Sequence, residues 1–137
     1  MKKDNEVFDA GMKVRRQILG DAHVDKAIAN TKSYSSEFQD LIVQYGWGAV
    51  WTRPGFDHRT RRILVLGTMM GIGRWEEFRM HLRAALEGGM SIQDIEEIFL
   101  QQAIYCGVPV SNTAIHHLTD IIAELQAKGV KINGLKD

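Results

Sequence analysis

One cysteine, two prolines and no net charge distinguish this 137-residue chain by what it lacks. With Cys106 alone, no intramolecular disulfide forms and no Cys-x-x-Cys redox or zinc motif exists. That usage fits a reducing compartment, and the expected location is the cytoplasm. The charge balance is 17 Lys+Arg against 17 Asp+Glu. It excludes nucleic acid as the main partner, because phosphate binding shows as a basic excess. No apolar run approaches the ~20 residues of a membrane span. The opening Met-Lys-Lys-Asp-Asn-Glu lacks the apolar stretch of a signal peptide. β-Branched alternation and hairpin signals are lacking too. The one Asn-Gly pair, Asn133-Gly134, sits in the tail.

What is present is globular composition, 45% hydrophobic and 25% charged. The length is that of one domain, which at about this size buries ~68–70% of its unfolded surface. We therefore expect a single domain over 1–137, with a core at about 14–128 and a loosely held tail at 130–137.

Helical signals recur. A first helix is expected over Asn5 to Leu19, stopped by Gly20. A short one follows around Val24–Asn30. Ser35 or Ser36 caps a longer one, with Phe38, Leu41, Ile42, Tyr45 and Val50 as its stripe. Arg53-Pro54-Gly55 is a turn. Asp57 is placed to cap a helix apolar nearly all round, from Ile63 to Met70, read as the buried centre. Trp75, Phe78, His81, Leu82, Ala85 and Leu86 mark a helix stopping at Gly88-Gly89. Ser91 opens another in capping-box style, ending at Gly107. A last helix is expected from Ser111 to Lys128. The fold class is all-α, a compact bundle of six or seven helices.

The balanced charge hides an asymmetry. Seven of the nine arginines lie between Arg53 and Arg83, with no lysine and only Asp57, Glu76 and Glu77 as acids. Arg59, Arg61 and Arg62 fall near a helix start, where cations oppose the dipole by ~0.3–1 kcal/mol each. An anion there would meet free N–H groups and guanidinium forks together. The group reads as an anionic small-molecule site. For each arginine singly, a structural ion pair is the competing reading.

His81 lies one turn after Glu77, and a Glu-x-x-x-His pair shares a helix face. It is either an acid/base histidine oriented by a carboxylate or a satisfied core residue. No His-x-x-x-His pattern supplies a metal site, so no metal is expected. His116 and His117 point about 100° apart and read as packing and surface. Cys106 sits near a helix C-terminus, where the dipole disfavours a thiolate. Trp47 and Trp51, four apart, either wall a ring-binding pocket or pack.

Several separated stretches then carry a resemblance. They are Val14-Arg15-Arg16-Gln17-Ile18-Leu19-Gly20-Asp21-Ala22-His23-Val24, Trp47-Gly48-Ala49-Val50-Trp51-Thr52-Arg53-Pro54-Gly55, Arg59-Thr60-Arg61, Glu77-Phe78-Arg79-Met80-His81-Leu82-Arg83 and Ala103-Ile104-Tyr105-Cys106-Gly107-Val108-Pro109. In this order the chain resembles the carboxymuconolactone decarboxylase family of the alkylhydroperoxidase D-like superfamily. Redox members of that superfamily carry Cys-x-x-Cys-x-x-x-His on a helix. Here His81 fits the frame, while the thiol positions fall on Arg74 and Glu77. The glutamate that redox members place twelve residues before the first thiol falls on Arg62 in an ungapped frame. The resemblance thus implies a loss of redox chemistry. Decarboxylase-type relatives have Glu within Trp-Gly-Glu-Val-Trp, and this chain departs from them with Ala49.

The resemblance implies a lyase of aromatic (protocatechuate) catabolism, acting on 4-carboxymuconolactone to give the enol-lactone of 3-oxoadipate. The substrate is its own electron sink, so no cofactor is expected. The implied catalytic residues are His81 for proton transfer and Glu77 as its orienter. Arg53, Arg59 and Arg62 are the implied carboxylate or enolate binders, with Arg74 and Trp47 behind them. A small anionic lactone is the expected partner, with no nucleic acid and no membrane. The superfamily implies a homo-oligomer, trimer or hexamer. The alternatives are a different substrate, a peroxidase-like role that the missing thiols disfavour, or a non-catalytic binding protein.

Overall fold

The computed structural model describes residues 1–136. Every regular element among them is helical, with seven α-helices and one π-helix. Contacts group the chain into two compact units, residues 1–58 and 59–137.

The first unit opens with α1 (Asn5–Leu19). The Asp4 carboxylate caps it, accepting from the Glu6 and Val7 amides at 3.1 and 3.2 Å. Gly20 ends it with φ 86°, a conformation that favours glycine. α2 (Asp21–Ala29) then begins at once, earlier than Val24. Arg16 holds its first turn through Asp21 at 3.0 Å and Asp25 at 2.8 Å.

α3 (Ser36–Leu41) runs straight into a ten-residue π-helix, Ile42–Trp51. The expected stripe is here corrected. Phe38, Leu41, Tyr45 and Val50 are exposed, and Val43, Gln44, Trp47 and Gly48 are buried instead. The cause is the crossing of α1 over the π-helix. A Cβ on Gly11 would lie 2.5 Å from the Gly48 amide, and one on Gly48 would lie 2.8 Å from Val7 Cγ1. Only the face carrying Gly48 lets the backbones come that close, so the bulkier stripe faces away. Ser35 does not cap α3 with its hydroxyl, which accepts instead from the Lys32 amide at 3.0 Å.

The second unit holds most of α4 (His58–Ile72), then α5 (Trp75–Glu87), α6 (Ile92–Tyr105) and α7 (Val108–Ala127). α4 is not buried all round. It buries one four-residue row, Arg62, Leu66 and Met70, and exposes Leu64 and Ile72. α5 supplies Phe78, Leu82 and Leu86, each 1% exposed or less. Ile95, Ile98 and Phe99 of α6 and Ala114, Ile121 and Leu125 of α7 complete the cluster.

Ser91 caps α6 as expected, its hydroxyl accepting from the Asp94 amide at 3.1 Å. α7 starts at Val108 rather than Ser111, because Pro109 sits in the first turn, where no helical N–H is required. Within the expected tail, two residues meet the second unit. Ile132 is 5% exposed within the core. The Ile92 amide donates to the Asn133 carbonyl at 2.9 Å, and Asn133 Nδ2 donates to the Gly89 carbonyl at 3.1 Å. Among the described residues, no helix is long and apolar enough to cross a membrane.

Candidate active site

α5 begins where Gly73, at φ 72°, turns the chain after α4. Its apolar row Phe78, Leu82 and Leu86 is buried, which fixes the rotation of the helix. Glu77 and His81 stand one turn apart on its flank, both half-buried. Glu77 Oε1 accepts from Arg74 Nη2 at 2.8 Å. Oε2 is covered and makes no hydrogen bond among the described residues. The Arg74 bond chiefly, and the His81 charge in addition, hold this carboxyl below the usual glutamate range. The His81 Nδ1 atom is also covered.

Arg62, on α4, is 9% exposed. No carboxylate among the described residues lies in ion-pair reach of it, and its buried Nη1 has no hydrogen-bond partner there. Burial alone pushes its guanidinium below the ordinary arginine value. Its Nη2 lies 2.9 Å from where a Cβ on Gly88 would stand, so the guanidinium rests on the C-terminal end of α5.

Four other arginines of the second unit meet acids. Arg59 is exposed and pairs with Asp94 at 2.7 Å, tying α4 to α6. Arg74 pairs with Glu77, as above. Arg79 and Arg83 of α5 share Glu124 of α7 at 3.1 and 2.8 Å. The structural ion-pair reading therefore describes these four, and Arg62 stands apart from them. Arg53 and Trp47 belong to the first unit. Arg53 is exposed on the turn after the π-helix. Trp47 is 6% exposed and packs on Trp51 at 4.9 Å between ring centroids.

Two grooves open in the second unit. One of about 390 Å³ lies between α4 and α6, lined by Arg59, Thr68, Asp94, Glu97 and Gln101 among others. Another of about 470 Å³ lies between α6 and α7 and is largely apolar. Neither is lined by Arg62, Glu77 or His81. Among the described residues no three His, Cys, Asp or Glu side chains converge to hold a metal.

The model of the carboxymuconolactone decarboxylase family matches residues 36–120. The chain belongs to this family. A 4-carboxymuconolactone decarboxylase of Acinetobacter baylyi is 33% identical over 130 residues, covering 95% of this chain and 97% of that protein. A nitrosuccinic acid decarboxylase of Metarhizium robertsii is 37% identical over 123 residues, covering 90% and 86%. A 4-carboxymuconolactone decarboxylase of Pseudomonas putida is 42% identical over 45 residues, 33% of this chain and 94% of that sequence. The family and these relatives agree on decarboxylation as the reaction class.

Two features escape a reading of the sequence. Arg15 of α1 is 6% exposed and pairs with no carboxylate among the described residues; Gln39 Oε1 accepts from its Nη2 at 3.3 Å. Burial first, and Arg16 second, hold its guanidinium below the ordinary value. His117 of α7 lies 5.2 Å from Trp75 between ring centroids, and its Nδ1 accepts from Arg79 at 2.9 Å. Adjacent arginines and adjacent histidines carry no sequence signal for which one turns inward.

Proposed function

We propose that this family member decarboxylates 4-carboxymuconolactone to the enol-lactone of 3-oxoadipate. The observation that carries the reading is Arg62. A buried guanidinium without a counter-charge is unfavourable by several kcal/mol or so unless an anion joins it. A substrate carboxylate is such an anion, and Arg offers it a planar fork.

The chemistry asks little else of the protein. The bond from the ring carbon to its carboxylate breaks and carbon dioxide leaves. The electron pair moves through the ring double bond onto the lactone carbonyl, giving an extended enolate. A proton delivered next to that carbonyl completes the product. Arg62 holds the carboxylate that is retained, since a firm grip on the departing one would slow its loss. His81 delivers the proton, and Glu77, one turn before it on the helix, orients the imidazole. Arg59 and Arg74 keep the ion-pair roles described above. A homo-oligomer belongs to the same reading, and sedimentation at micromolar concentration that returned the monomer mass would remove it.

The test is ultraviolet monitoring of the lactone with purified protein. Turnover is expected for the natural chain, and His81→Ala should lower kcat by about 10²–10⁴-fold. A folded His81→Ala variant with unchanged turnover would sink the assignment.

Ala49 favours a second reading. Alanine stands where the family resemblance implies a glutamate, and one relative is named for nitrosuccinic acid. Nitrosuccinate is also a dicarboxylate, with a nitro group as the internal electron sink. Turnover of nitrosuccinate but not of the lactone would select it, with Arg62 in the same role.

A further inference from the structure

We propose that Gly88 is a positioning residue for Arg62, the bare spot on α5 that holds the carboxylate-binding guanidinium in place. This rests on the reading of Arg62 given above.

Gly88 has φ −77° and ψ 0°, ordinary right-handed backbone that any residue adopts. Its neighbour Gly89 has φ 97° and serves the turn. The two glycines therefore have different roles. Backbone conformation does not require glycine at 88, but space does. A Cβ there would stand 2.9 Å from Arg62 Nη2, 3.5 Å from its Cζ and 3.1 Å from the Ala84 carbonyl oxygen of its own helix turn, the first being the tightest contact. Arg62 is the far end of a flexible side chain, so it moves before the helix does. Its burial leaves that movement costly for binding and tolerable for folding.

The site also suits a cation. The C-terminal end of α5 carries the negative end of the helix dipole, and the guanidinium lies beside Gly88 at that end. That contact steadies Arg62 without occupying its buried Nη1, which is left for a ligand oxygen. His81 lies seven residues before Gly88 on the same face, two turns or ~10 Å along the axis. Gly88 thus sets where the retained carboxylate sits relative to the proton donor's helix.

The experiment is the cycle of Gly88→Ala, Arg62→Gln and the double variant, read by steady-state turnover of the lactone and by Tm. Gly88→Ala should raise KM about tenfold with kcat nearly kept, as for lost uniform binding. In the Arg62→Gln background the shorter side chain no longer reaches residue 88. Gly88→Ala should then change KM no further. An unchanged KM in Gly88→Ala, or a loss of kcat alone, overturns the proposal.

If the natural chain turns over neither lactone nor nitrosuccinate, the functional reading fails and Tm decides the positioning role. Alanine at an unstrained glycine stabilises through the unfolded chain. Gly88→Ala should therefore lower Tm in the presence of Arg62 and raise it in the Arg62→Gln background. Equal shifts in both backgrounds overturn the proposal. Should Gly88→Ala fail to fold, a folded double variant supports it and an unfolded one overturns it.

Discussion

Two helices of the first 58 residues cross backbone against backbone, whereas the helices of the rest pack side chain against side chain. In the first unit, α1 and the π-helix meet at Gly11 and Gly48 with no room for a Cβ on either. In the second, Phe78, Leu82, Ile95, Ile121 and Leu125 interdigitate with no exposure at all. Each unit also buries one arginine away from carboxylates. Gln39 accepts from Arg15 Nη2, yet Arg15 Nε, like Arg62 Nη1, has no hydrogen-bond partner among the described residues. The two differ in that a side-chain amide meets the Arg15 guanidinium.

The contrast can be broken in order of expected effect. Phe78→Ala should destabilise by about 3–5 kcal/mol in urea unfolding, as removal of a core aromatic does. Gly11→Ala should cost about 1–3 kcal/mol, since the clash is with rigid backbone. If Gly11→Ala is neutral, the close crossing is wrong. Arg62→Met should stabilise by about 1 kcal/mol while weakening substrate binding, because it removes an uncompensated buried charge. Arg15→Met should gain less, since it strips Gln39 of its donor. Equal gains would erase the distinction between the two arginines.

The smallest effect is in pH. Glu124 is held below the usual glutamate range by its bond to Arg83 first and by Arg79 in addition. Asp94 is held low chiefly by its bond to Arg59. Burial, then Arg79, hold His117 below the usual histidine value. Each folded value is depressed, so each group stabilises the fold above its unfolded pKa. That contribution fades as pH falls through the folded value. Tm should therefore drop modestly on acidification, first below the ordinary histidine range and again below the carboxylate range. His117→Gln should remove the earlier step alone. Glu124→Gln should cost about 0.2–1 kcal/mol at neutral pH, the scale of exposed pairs.

Much of this is legible in the sequence. Gly20, Gly73 and Gly88-Gly89 mark helix ends, and Ser91 marks a start, because capping chemistry is local. The exposure of Phe38, Leu41, Tyr45 and Val50 is not legible, because apolar spacing cannot say which face a neighbouring glycine will claim. α4 misleads for the same kind of reason. Its Leu64 and Ile72 look like core in composition, yet the helix has only one packed row. Spacing on a helix is enough to place His81 and Glu77 together. In sequence Arg62 stands among equals, and only packing separates it from Arg59, three residues away and paired with Asp94.

The crossing of α1 over the π-helix has a consequence for how this sequence can vary. Every replacement of a glycine by another residue installs a Cβ. At Gly11 and Gly48 that atom meets main-chain atoms, which no neighbouring substitution can trim. A mutation at one site therefore has no suppressor at the other. Drift through this unit should flow around these two positions and leave both fixed.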